Sequence, residues 1–121
     1  MADIGRFPVS FDDEAFAEDL AHATTAGRNL AEQARAHLER EELAPDDTRP
    51  CMADGPDGTR LPRCVKIYLP LPAGRWGLVL EVVRTEGKIR LEHRAFGVRH
   101  PSRPWHPSVY QVAHRRLHAA E

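Results

Sequence analysis

Between Arg84 and His118 the chain carries eight Lys/Arg and five His but only two carboxylates, Glu86 and Glu92. Guanidinium and ammonium groups bind phosphate. Imidazole titrates near neutral pH and is the side chain most used as a general acid or base. A polyanion, or an acidic protein, is therefore the expected ligand of this segment. Arg90, Arg94, Arg99, Arg103, Arg115 and Arg116 are the candidates for phosphate contacts, with Trp105 or Phe96 to stack on a base. Arginines on a strand also form plain solvated faces, and Tyr110 also suits a half-buried anchor with its hydroxyl at a rim. His114 and His118 have the i, i+4 spacing that lets two imidazoles share an ion, and His100 and His106 could complete a set. No Glu follows the first His, and zinc sites need three or four fixed ligands, so neither metal nor cofactor is assigned.

The basic segment belongs to a chain whose formal net charge is only −1. The halves cancel: residues 1–48 hold four Arg against twelve Asp/Glu, a formal −8, and residues 49–121 hold thirteen Lys/Arg against six Asp/Glu, +7. Either the basic half has an outside partner, or the acidic half folds against it. A length of 121 residues fits a single domain, and 41% apolar residues support a core. No apolar run approaches a membrane span and no secretory leader is visible, so a cytoplasmic protein with no membrane partner is expected. Cys51 and Cys64 are then expected as free thiols; their spacing matches no zinc knuckle. Asp54-Gly55-Pro56-Asp57-Gly58 has too few carboxylates for a calcium loop.

The elements that must position these groups follow from periodicity. Phe7, Val9 and Phe11 alternate, as in a short strand or arm. Ser10 with Asp13 suggests a helix cap, and Phe16, Leu20 and Ala23 a helix over about residues 11–25, which Gly27 would end. Leu30, Ala34 and Leu38 mark a second helix over about 29–42. Residues 44–62 read as a long Pro/Gly/Asp-rich loop. Three strands follow, over 64–69, 76–84 and 89–98, the last two joined at Glu86-Gly87 as a hairpin. On the last strand, Ile89, Leu91, His93 and Ala95 are expected to face one way and Arg90, Glu92, Arg94 and Phe96 the other. Ser108 caps a final helix over 109–119. The expected fold is α+β: two N-terminal helices packed on a three- to four-stranded antiparallel sheet, with a short C-terminal helix.

Gly77-Leu78-Val79-Leu80-Glu81-Val82-Val83, the Glu86-Gly87 turn, Ile89-Arg90-Leu91 and Ala95-Phe96-Gly97-Val98-Arg99-His100 together resemble the RelE/ParE-like toxins of bacterial toxin–antitoxin pairs. Val9-Ser10-Phe11 leading into Ala17-Glu18-Asp19-Leu20 fits the same element order. The resemblance implies a metal-independent endoribonuclease acting on RNA, bound and restrained by an acidic antitoxin. It implies His100 as acid or base, Arg99 and Arg75 on the phosphate, and Tyr110 or His114 assisting. The gyrase-poisoning branch of that family uses none of this chemistry. The alternative is a non-enzymatic regulatory module that takes nucleic acid or an acidic protein on its basic half.

Overall fold

The computed structural model describes residues 7–41, 47–55, 58–70, 74–103 and 105–119. Eight elements follow in order: β1 (Val9–Ser10), α1 (Asp13–Ala21), α2 (Thr25–Arg40), β2 (Arg49–Pro50), β3 (Cys64–Leu69), β4 (Trp76–Thr85), β5 (Lys88–Val98) and α3 (Val109–Leu117). The five strands form one sheet in the order β1-β5-β4-β3-β2. β3, β4 and β5 are the expected antiparallel meander, with Ile67 opposite Leu78 and Leu78 opposite Phe96. Glu86 and Gly87 both take positive φ, 53° and 77°, which closes the β4–β5 hairpin in two residues. Among the described residues no helix is long and apolar enough to cross a membrane.

Strand alternation separates two cores. Trp76, Leu78 and Leu80 of β4 pack with Phe16 of α1 and with Ala31 and Leu38 of α2. Val79, between them, points to the other face and packs with Val109 and Ala113 of α3. The two N-terminal helices and α3 thus lie on opposite faces of the sheet. The two faces touch mainly through one contact set around Asp19, described below.

The sheet differs from expectation in three ways. It has five strands, and it is mixed, because β1 runs parallel to β5. Its outer strands are two residues each, too short for a period-two signal. β2 comes from the segment read as loop and pairs Arg49 with Lys66 and Pro50 with Val65. The same segment folds back on itself at the Asp54–Arg60 bridge.

Helix boundaries also move. Asp12, not Ser10, caps α1, accepting from the Ala15 N–H at 3.0 Å. Thr24 starts a new helix instead of ending the first, accepting from the Gly27 N–H at 3.1 Å. Gly27 therefore lies inside α2. A Cβ there would sit 2.3 Å from the Trp76 ring, so close packing explains a glycine that propensity alone reads as a breaker. Arg35 of α2 pairs with both Glu39 and Asp13, which offsets part of the acidic charge near the end of that helix.

On β5 the register slips between Val79 and Leu80 of the partner strand: Val79 faces Ala95 and Leu80 faces His93, leaving Arg94 as an extra residue. The bulge reverses the expected facing beyond His93. Leu91, His93 and Phe96 face α1 and α2, whereas Ala95 joins the α3 core.

Beyond the two residues covered by β1, side chains close the outer edge of β5. The Phe96 N–H donates to Asp19 Oδ2 at 2.9 Å, and the Arg94 carbonyl accepts from Arg116 at 2.8 Å. Asp19 and Arg116 pair with each other at 2.8 Å. A carboxylate only accepts, so the His93 proton must sit on Nε2, which donates to Asp19 at 2.9 Å. His93 is wedged against Phe11 and Phe16, and its Nδ1 is buried with no protein partner among the described residues.

A candidate anion-binding cleft

The α3 face of the sheet holds an open cleft of about 530 Å³. Lys66 and Tyr68 reach that face from β3, because they oppose Val79 and Gly77 of β4. Arg99 leaves the end of β5, and Tyr110 stands on the first turn of α3. Ser108 places that turn through a full capping box with Gln111, at 3.2 and 2.9 Å. The segment between β5 and α3 adds His100, Arg103 and His106 to the wall.

Cations and rings alternate along the cleft and just beneath it. The Arg99 guanidinium lies 3.6 Å from the Tyr68 ring centroid. It donates to the Gly74 carbonyl at 2.9 Å and to the Tyr110 hydroxyl at 3.3 Å. Gly77 leaves room for it: a Cβ at that position would lie 3.0 Å from Arg99 Cγ. Lys66 Nζ sits 5.1 Å from the Tyr110 ring centroid and 5.6 Å from that of Tyr68, and Arg49 approaches Tyr68 from the β2 side at 5.4 Å. Aromatic faces attract cations, but they leave the ammonium's hydrogen-bond donors for an anion. Among the described residues no carboxylate lines the cleft and none pairs with Lys66. Cys51 also lines it; burial pushes its thiol up to about 11 although Lys66 pulls the other way. It is a neutral thiol in the ordinary pH range.

The structure brings together five of the residues singled out from sequence for chemistry: Arg99, His100, Arg103, His106 and Tyr110. Arg75 is not in the cleft wall. It is exposed, and its carbonyl alone meets the site, accepting from the Arg99 N–H at 2.9 Å. His114 is also outside. Its Nδ1 accepts from the Arg60 N–H at 2.9 Å, and His118 Nε2 donates to the Arg60 carbonyl at 2.9 Å. The histidine pair thereby fastens Arg60 to the C-terminal end of α3, and among the described residues no three His, Cys, Asp or Glu side chains gather as a metal set.

Several phosphate candidates are occupied elsewhere. Arg90 pairs with Glu92 at 2.9 Å; Arg94 pairs with Glu81 and Glu92; Arg116 pairs with Asp19 and Glu18. Phe96 is 4% exposed and stacked on Trp76, so it is not a platform for a base. Arg115 and Trp105 are exposed and line a second hollow beside the first. Lys66, Tyr68 and Arg49 escaped the sequence reading. The available signal was that Lys66 and Tyr68 alternate with the core residues of β3, which places a cation and a phenol side by side on one face.

Comparison of the chain with protein-family models, with curated proteins and with solved structures gives no match in any of the three.

Proposed function

We propose that this cleft grips the phosphodiester backbone of RNA and that the protein is a metal-independent endoribonuclease of the RelE/ParE-like kind, restrained by an acidic antitoxin that covers the basic face. The observation that carries the reading is the cleft's composition: Lys66, Arg99, Arg103, His100 and His106 share one open wall that no described carboxylate lines. In such cleavage the ribose 2′-oxygen attacks the adjacent phosphorus and the P–O5′ bond breaks. One group removes the 2′-hydroxyl proton and another delivers a proton to O5′, leaving a 2′,3′-cyclic phosphate and a 5′-hydroxyl. His100 fits the acid or base role, and His106 lies on the same wall to serve as its counterpart. Lys66 and the remaining donors of Arg99 offset charge on the pentavalent phosphorus. Tyr110 holds Arg99 in place through its hydroxyl.

A second reading has an observation in its favour. Arg99 already donates to two protein acceptors and is stacked on Tyr68, the pose of a wall rather than of a mobile catalyst. The protein is then a binding module for nucleic acid or an acidic peptide. Incubation of purified protein with RNA in excess chelator separates the two. Cyclic-phosphate ends that vanish in His100→Ala support cleavage, as does growth arrest on induced expression that His100→Ala relieves. Intact RNA at all protein concentrations, with binding retained, leaves the module.

A further inference from the structure

Beside the cleft lies a second hollow of about 410 Å³, and Thr59 and Gln111 border both. Trp105 stands on its rim at 76% exposure, the most exposed large apolar side chain among the described residues. Arg103 lines the first hollow and lies 5.9 Å from the Trp105 ring centroid, so it bridges the two. Arg115 is the cation of the second, and no described carboxylate borders it. An indole held out in water beside a line of guanidinium groups exposes apolar area that burial against a flat ring would remove.

We propose that the two hollows form one track for a single RNA strand, in which a phosphate sits between Lys66 and Arg99 and an unpaired base stacks on Trp105. This rests on the reading of the first cleft as a phosphodiester site and adds to it. The ligand must span at least two nucleotides, and it must be single-stranded at the stacked position, because paired bases present no free face. Stacking makes the second subsite tolerant of base identity.

The probe is a 2′-O-methyl oligoribonucleotide, which lacks the free 2′-hydroxyl that cleavage needs. Trp105 reports on its own subsite by fluorescence, since the other tryptophan, Trp76, is buried. The expected result is quenching by an unpaired oligomer, with tighter binding than a nucleoside monophosphate shows. Trp105→Ala should weaken oligomer binding ~5- to 150-fold, the span for one base–aromatic stack, and leave the monophosphate unaffected. Lys66→Met should weaken both. If Trp105→Ala binds the oligomer as wild type does while Lys66→Met does not, the track is wrong and the phosphate cleft stands. Equal affinity for a blunt duplex likewise overturns the track. Wild type that binds neither oligomer nor monophosphate overturns the cleft reading and the track together.

Discussion

Asp19→Ala is expected to remove a large part of the protein's stability. The Asp19 side chain is 3% exposed and receives three donors: the Phe96 N–H, His93 Nε2 and Arg116. Truncation leaves the buried N–H with no acceptor, at about 1–3 kcal/mol. It also strips a carboxylate from a buried ion pair, for which removal of one partner costs about 3–5 kcal/mol. The terms overlap, so ~4 kcal/mol is the working figure. A domain of this size holds only ~5–15 kcal/mol in all. With a urea slope of ~2 kcal/mol/M the unfolding midpoint should fall by ~2 M. Glu18→Ala is the matched control. Glu18 also pairs with Arg116, at 2.7 Å, but its side chain is 63% exposed, so its loss should cost under ~1 kcal/mol. Asp19→Asn keeps an acceptor for Phe96 and should fall between. Urea curves in which Asp19→Ala and Glu18→Ala shift equally would show that the bulge edge does not depend on this carboxylate.

Gly27→Ala should destabilise although Ala is favoured over Gly by ~1 kcal/mol in a helix, because the new Cβ collides with the Trp76 ring; thermal melts decide the sign. Burial raises the thiols of Cys64 and Cys51 to about 12 and 11, so iodoacetamide at pH 8 should modify native Cys51 ~100-fold more slowly than an ordinary thiol near 9. The same raised values mean that the unfolded chain sheds these protons first, so stability held below pH 9 is lost as pH climbs toward 11 and 12. Asp12 is the opposite case: its bond from the Ala15 N–H holds its carboxyl below the usual range, so the stability it confers is present above that range and lost on acidification. Asp12→Ala should cost ~1 kcal/mol at neutral pH and correspondingly less in acid. His118→Ala should release one of the histidine contacts on Arg60 and speed amide exchange at Thr59, Arg60 and Leu61 while the sheet stays protected.

What could be read from residue order divides along physical lines. Val65, Ile67 and Leu69 alternate over enough residues to declare a strand and its buried face, and Glu86-Gly87 declares its turn. Ser108 declares α3, since a cap is a local device. The reversal of β5 is not local: it follows from one extra residue at Arg94, which no period announces and which only the partner strand's register reveals. Alternation sets His93 on the same face as Leu91, yet nothing in the pattern says that it is buried against a carboxylate 74 residues away. In the cleft, Arg99 and His100 were legible because they follow the last strand directly. Arg75 precedes the first paired residue of β4, where alternation does not yet direct a side chain. Arg94 and Arg116 read as ligands for an outside anion because Glu81 on β4 and Asp19 and Glu18 on α1 are distant in sequence, whereas the partner of Arg90, Glu92, lies two residues along the same face of β5 and was legible there.

The sheet acts as a partition between unlike charges. The first helix carries four carboxylates and no basic residue, and the cationic trough lies across the sheet from it, so opposite charges are held apart in a molecule with almost no net charge. Long-range attraction to a polyanion is weak for such a body, but torque is not. At physiological ionic strength charges interact over about 8 Å, so a polyanion that came within that distance would turn the trough toward itself and the first helix away. Encounters with such a partner would be favoured by alignment more than by pull, and added salt should slow association before it loosens the bound complex.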